Sequence, residues 1–262
     1  MKNEERIMKN FRQILLLVFL WAGCLSASAQ LYTGLSGLIN TPSADMHKEG
    51  DALIGCYFMN KHFTPEDDGT YGFIYEGEKY NTMDFYLSLT PFRWVEIGYT
   101  FTLQKALMEG YDKPRYNSKD RYFSIKLNPL QEGRYHPAIA IGSNDFLGSP
   151  TKRHGQGGSG AGYFCNYYIV ATKHFKPEGH DISVNFAYRY CPTVYSEKWE
   201  GVVGGITYCP KWVPNLRAIV EYTGNEINVG ADCLLWKQLF LQVLLQDGKY
   251  FSGGLCFCVN LL

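Results

Sequence analysis

The side chains that could do chemistry fall into small sets, each short of a partner. Gly155-Gln156-Gly157-Gly158-Ser159-Gly160 matches G-x-G-x-x-G. A pyrophosphate cradle needs that turn between a strand and the N-terminus of a helix. Residues 163–174, which follow it, read as a strand and not a helix, so the stretch is expected to be a loop. His174 and His180 flank a short turn with Pro177 and Gly179. They could meet around a metal, but two imidazoles in such a turn are read as solvated. Cys256 and Cys258 share a strand face around Phe257, with no second Cys or His pair at ligand spacing. Glu66, Asp67 and Asp68 form an acidic cluster that keeps its loop in water. There is no Ser-His-Asp set and no G-x-S-x-G elbow. The expectation is a chain without enzymatic activity, cofactor or metal.

One set shares a geometry. Asp84, Glu96, Lys126, Arg189, Arg217, Glu221 and Asp232 all fall on the polar parity of segments in which apolar and polar residues alternate. Met83, Phe85, Leu87 and Leu89 alternate with Thr82, Asp84, Tyr86 and Ser88, and Ile182, Val184, Phe186, Tyr188 and Tyr190 with Ser183, Asn185, Ala187 and Arg189. A period of two is a strand with one apolar face. An Arg or Lys facing lipid near the midplane costs about 2–4 kcal/mol. A lipid-exposed wall would therefore drive all seven charges inward, as candidate lumen-lining residues, with Tyr86 beside them as a sugar-stacking platform. A soluble barrel gives the same alternation with the faces exchanged.

These residues lie within a set of twelve strand-like segments: 51–60, 82–89, 95–103, 123–127, 137–144, 162–174, 182–190, 201–208, 216–222, 227–233, 239–246 and 255–261. No amphipathic helix of ordinary length competes with them, and no run reaches the roughly 18 apolar residues of a membrane helix. Long connections at 61–78, 104–119 and 145–161 alternate with shorter ones at 90–92, 128–136 and 175–179, as outer loops alternate with periplasmic turns. Aromatic residues make up 16% of the chain, including 20 Tyr and 16 Phe. Mean hydropathy is slightly negative, as in barrels whose lipid-facing residues alternate with polar ones. The predicted fold is all-β: an antiparallel transmembrane β-barrel of about twelve strands. The 25 basic and 25 acidic residues balance, without the basic excess of nucleic-acid binders.

The N-terminus reads as an export signal. Lys9 and Arg12 precede an apolar run over 14–21, and Ala27-Ser28-Ala29 offers a cleavage site. Residues 1–29 are assigned to a signal peptide and 30–262 to one barrel domain with a lead-in over 30–50. Ala22-Gly23-Cys24 is a second, competing signal, in which Cys24 would be acylated. Seven of the eight Cys follow position 29. An odd number leaves at least one unpaired, and most lie in strand-like runs as small apolar side chains. In the lead-in, Pro42 holds Thr41 extended and Gly50 marks the bend before the first strand.

The opening 34–50, with Leu38-Ile39-Asn40-Thr41-Pro42-Ser43-Ala44, resembles the start of the YjbH family of exopolysaccharide-associated outer-membrane proteins. Asn144-Asp145-Phe146-Leu147-Gly148, Tyr167-Tyr168-Ile169-Val170-Ala171-Thr172-Lys173, Glu226-Ile227-Asn228-Val229-Gly230-Ala231 and Gln246-Asp247-Gly248 are similar in the same order. Gly37, Thr41, Pro42, Ala44 and Gly50 carry the first of these motifs. The resemblance implies an outer-membrane barrel involved in making or exporting extracellular polysaccharide, and it implies no catalytic residues. Longer family members carry two barrel-like regions, and this chain has room for one.

Three functions follow as expectations. The first is a barrel in the outer membrane of a Gram-negative-type bacterium that helps polysaccharide cross or stay at that membrane, with outer-membrane lipid, polysaccharide and envelope export proteins as partners and no nucleic acid. The second is a plugged barrel that anchors or docks envelope partners. The third is a soluble periplasmic barrel that binds an apolar ligand.

Overall fold

The computed structural model describes residues 32–64, 74–75, 78–106, 112–113, 115–148, 162–193 and 196–262. The two N-terminal processing signals with Cys24, the acidic cluster 66–68 and the glycine-rich stretch 155–160 lie outside them. The strands are β1 (Asp51–Met59), β2 (Ile74–Tyr75), β3 (Glu78–Lys79), β4 (Thr82–Phe92), β5 (Val95–Ala106), β6 (Arg115–Leu130) and β7 (Ala138–Gly148). They continue with β8 (Asn166–Phe175), β9 (Asp181–Tyr190), β10 (Gly201–Cys209), β11 (Leu216–Tyr222), β12 (Ile227–Leu235), β13 (Leu239–Gln246) and β14 (Tyr250–Asn260).

Strands β2 and β3 pair only with each other, inside a connection expected to be plain loop. The other twelve close into one antiparallel barrel in chain order, with β1 sealing against β14 from Asp51↔Asn260 to Phe58↔Gly253. Closure leaves no unpaired sheet edge, which a membrane-spanning sheet cannot tolerate.

The alternation read in the sequence is the alternation of the walls. Along β9, Ser183, Asn185, Ala187 and Arg189 are buried while Val184, Phe186, Tyr188 and Tyr190 are exposed. Leu87, Ile169, Ile206, Val243 and Phe257 likewise face outward. The outside is apolar and the inside largely polar. The soluble barrel with an apolar interior is thereby overturned, because its faces would be the reverse. Phe92, Trp94, Phe175 and Trp212 ring one end of the wall, and Tyr167, Tyr190, Tyr222 and Tyr250 the other. Aromatic girdles of this kind lie at the two membrane interfaces.

The two ends differ. The turn end carries the connections 93–94, 131–137, 176–180, 210–215 and 236–238, and the loop end carries the longest ones, 60–81, 107–114, 149–165 and 191–200, together with the short turns 223–226 and 247–249. One expected connection, 104–119, is shorter than the sequence suggested, and another, 145–161, keeps its length but is displaced to 149–165, because β8 starts only at Asn166. Strands β5 and β6 pair as far as Ala106↔Arg115, across a bulge at Gln104/Lys105, and β7 runs on to Gly148. The polar ends of β5 and β6 pair in spite of their composition because backbone hydrogen bonds extend a hairpin beyond its apolar part. The expected turn 90–92 is instead the end of β4. Pro91, which has no N–H to give a ladder, sits in the register shift between Leu89 and Phe92, and the chain reverses at 93–94.

Phe186 lies midway along β9, and Tyr190 lies at its loop end. Phe186→Arg is expected to lower unfolding free energy in liposomes by about 2–4 kcal/mol and Tyr190→Arg by roughly 0–1 kcal/mol. Denaturant titration of both variants checks this, and equal costs at the two depths would refute the membrane orientation.

Candidate functional site

A barrel of about eight strands is filled by its own side chains, while barrels of 16–18 strands hold a water channel. Twelve strands fall between, and here the extra space is taken by the lead-in. Every residue from Tyr32 to Ala44 is buried. Tyr32 lies toward the loop end, its ring centroid 5.3 Å from that of Phe164. The chain descends to Ser36 near the turn end, climbs to Asn40, and descends again through Ala44. Leu38 N donates to Thr41 O at 2.9 Å and Gly37 bridges Pro42, closing a tight hairpin inside the lumen. Gly50, with φ +83°, packs under Leu262 and turns the chain into β1. The segment expected to be a simple lead-in is therefore a plug.

Glu221 holds the tip of that hairpin. Its carboxylate accepts from the backbone N–H groups of Ile39 (3.1 Å), Asn40 (3.0 Å) and Thr41 (3.0 Å), from Thr41 Oγ1 (2.5 Å) and from Asn228 Nδ2 (2.9 Å). Three successive N–H groups around one anion form a nest. The stretch that carries the family resemblance is thus the hairpin that captures Glu221. Arg189 supports it from the other side, donating to Asn40 O and Oδ1 and to the carbonyls of Trp199 and Thr223.

Glu96 and Lys126 hold the lower part. They pair at 3.0 Å with both side chains essentially inaccessible to water. Glu96 also accepts from Ser36 N (3.0 Å), Ser36 Oγ (2.7 Å) and His47 N (2.6 Å). Lys126 donates to Ser36 O (2.8 Å), Asp45 O (2.6 Å) and Ser36 Oγ. Neutral groups complete the grip: Gln242 donates to Leu38 O, Asn128 to Ala44 O, and Ala44 N to Thr172 Oγ1. Close approach needs small residues on the wall. A Cβ on Gly98 would stand 2.9 Å from Thr33 O, and one on Gly205 would stand 2.5 Å from Leu38.

All seven charged candidates and Tyr86 are buried within the barrel. Glu96, Lys126, Arg189 and Glu221 bind the plug. Arg217 pairs with Asp232 at 2.8 Å toward the turn end. Asp84 stands in one row with Thr102 and Asp120, toward the loop end. The Tyr86 ring is covered by Gly34 and Gly55, so it is packed and does not offer its face to a sugar. Of the motif glycines, Gly37 sits in the plug hairpin and Gly50 at its exit, with Thr41, Pro42 and Ala44 between. The sequence reading had no signal for Ser36, whose hydroxyl and backbone join Glu96 to Lys126.

The two histidines set aside in the turn go to separate partners: His174 Nδ1 to Glu132 at 2.8 Å, and His180 Nδ1 to Tyr208 Oη at 2.9 Å. The seven Cys within the described residues are free thiols. Below the plug, at the turn end, the barrel opens into a cavity of about 1570 Å³.

The sequence profile of the YjbH family, described as exopolysaccharide biosynthesis protein YbjH, matches residues 29–261. A protein of Escherichia coli (strain K12) called "Uncharacterized lipoprotein YjbH" is 23% identical over 252 residues, covering 84% of this chain and 30% of that protein. The chain thus spans less than a third of this curated relative. Among solved structures, outer membrane phospholipase A from E. coli is 11% identical with a TM-score of 0.34, covering 82% of this chain and 98% of the other. A mutant porin of Rhodopseudomonas blastica is 10% identical with a TM-score of 0.28, covering 81% and 75%.

Two outcomes follow from this geometry. Glu96→Gln leaves Lys126 charged and buried and is expected to cost about 3–5 kcal/mol, much of it regained in Glu96→Gln/Lys126→Met. Thermal unfolding in micelles tests this, and a double variant no more stable than the single one contradicts the pairing. The second concerns His47, whose Nε2 is buried without a partner. Burial holds its pKa below the ordinary range of a histidine, with Lys126 and Arg217 acting in the same direction and Glu96 and Asp51 opposing them. The unfolded chain therefore binds the proton more readily, so its stability contribution is complete above about pH 6.5 and falls as the pH drops toward the lower folded pKa. Melting temperatures across that window should decline for the native protein and less for His47→Gln.

Proposed function

The chain belongs to the YjbH exopolysaccharide biosynthesis family, and from that premise we propose that it is a closed outer-membrane barrel that anchors and docks the envelope proteins that make or export the polymer. The observation that carries this reading is the filled lumen. A conduit for polysaccharide needs a continuous passage, and residues 32–44 occupy the space such a passage would use, tied to four strands' worth of inward charge. The apolar wall between two aromatic girdles supports an outer-membrane location with lipid as the lateral partner. In this reading the barrel does no chemistry of its own. The inward charges bind the plug, and contact with polymer and partners falls to the two ends of the barrel.

The experiment has two readouts. Disrupting the gene in its own host should lower extracellular polysaccharide, and the full chain should restore it. In planar bilayers the full chain should carry no steady current, while Glu96→Ala/Glu221→Ala, which releases both grips on the plug, should conduct. Steady, large conductance from the native chain would point to a conduit and sink the docking reading. Unchanged polysaccharide in the disrupted strain would remove the link to its production.

A further inference from the structure

The turn-end cavity differs in chemistry from the space above it. Around the plug, Glu96, Lys126, Glu221 and Arg189 are bonded to the chain that fills the barrel. The described residues lining the cavity instead carry seven Lys and Arg against four Asp and Glu. Three of these cations are matched: Lys173 with Glu132 at 2.7 Å, Lys176 with Asp181 at 3.6 Å, and Arg217 with Asp232 at 2.8 Å. Lys48, Lys211, Lys237 and Arg134, which lies over the Tyr135 ring, have no carboxylate partner among the described residues. Like charges gathered in a concave, low-dielectric wall focus their field on whatever enters.

The rim supplies an independent observation. Trp236 and Lys237 occupy the two central positions of the hairpin turn between β12 and β13, with φ of 48° and 63°. Gln238 N donates to Leu235 O at 3.1 Å and closes that turn. A turn with both φ positive favours Asn-Gly or Asp-Gly. The chain uses Asp247-Gly248, with φ of 49° and 65°, for the corresponding turn between β13 and β14. Trp and Lys at such positions strain the backbone, and strained residues mark places where function outweighs local preference. Trp236 is 67% exposed, so the interior gains nothing from its ring. It lines the cavity beside Lys237, whereas Trp94 and Trp212 do not.

We propose that this cavity binds a segment of anionic polysaccharide whose sugar rings carry carboxylates. The indole face stacks on the C–H face of a pyranose, and the unmatched ammonium groups take the carboxylates as charge-assisted hydrogen bonds. A volume of about 1570 Å³ exceeds the roughly 300–1,000 Å³ of pockets for single small ligands, and it fits several linked rings. The proposal deepens the exopolysaccharide reading and rests on it.

The test uses the full chain in detergent micelles at low salt. Hexagalacturonate is the probe, maltohexaose is the neutral control, and tripolyphosphate is the anion without a sugar. Tryptophan fluorescence and calorimetry give affinities, and heat-modifiability on a gel verifies folding. Hexagalacturonate should bind saturably and maltohexaose should not. Lys211→Glu/Lys237→Glu should weaken hexagalacturonate about tenfold or more, and Lys211→Ala/Lys237→Ala should do so to a lesser degree. Trp236→Ala should weaken hexagalacturonate and leave tripolyphosphate unchanged. Absence of saturable binding overturns the site, as does unchanged affinity in the folded double variants. Indifference of both anions to Trp236→Ala reduces the cavity to a plain anion trap and overturns the sugar assignment. Loss of polysaccharide on gene disruption, together with no hexagalacturonate binding, would refute this inference alone and leave the docking reading standing.

Discussion

A carboxylate enclosed in a barrel must be met by hydrogen-bond donors, and Glu221 takes three of its donors from consecutive backbone N–H groups of the plug. Most of the interior follows from that demand. The outer wall has to be apolar, so the charges in the middle of these strands are sent inward, each into a space with little water, while Arg121, toward the loop end of β6, stays outside over the Phe101 ring. Side chains of a twelve-stranded wall do not reach one another across the centre. A stretch of backbone, which carries one donor and one acceptor per residue, can meet Glu221, Lys126 and Arg189 in turn. The hairpin closed between Gly37 and Pro42 turns those donors and acceptors outward, toward the wall.

The same constraint accounts for the small residues facing the plug. Gly98, Gly205 and Gly230 let the backbone or the aliphatic side chains of the plug reach the wall, because a Cβ at each would fall within 3.0 Å of Thr33, Leu38 or Ile39. These glycines lie on the inner face, where a larger side chain would push the plug off its anchors. Glycine in a strand interior often marks such an approach.

The barrel was legible in the sequence because its cause is local: a period of two is visible in any five residues, and lipid enforces it on every strand. Strand β9 and the parity of Arg189 could be read without any knowledge of neighbours. The ends of strands were less legible. Arg115 extends β6 through polar residues that carry no alternation, Gly148 ends β7 beyond the alternating stretch, and Pro91 sits in a bulge near the end of β4 where a turn had been expected. The plug was not legible at all. Leu38-Ile39-Asn40-Thr41-Pro42 has no period, and its partners Glu96, Arg189 and Glu221 lie far along the chain. Pairing across that distance is a property of the closed barrel, which no short window of sequence contains. For the same reason parity sends the charged candidates into a lumen but carries no sign that the lumen is occupied.

What holds the plug can be divided by asking what water would replace. If residues 32–44 left the lumen, water would enter, and Glu221 and Lys126 would be solvated. Each lost hydrogen bond would then count for about 0.5–1.5 kcal/mol net, or roughly 1.5–3 kcal/mol where a charge is involved. Water cannot replace the burial of Tyr32, Leu35, Leu38 and Ile39, each of which is at most 5% exposed. Burial of an aliphatic side chain of this size contributes about 1.5–3 kcal/mol. The polar anchors thus fix where the plug sits, and the apolar residues between them supply a comparable share of the hold. A partner that opened the barrel would have to offer both a carboxylate's worth of donors and an apolar surface. The turn-end cavity, lined by Lys48, Lys211 and Lys237 and open below the plug, offers cations and one indole, which suits the capture of an anion at the mouth far better than the displacement of the segment above it.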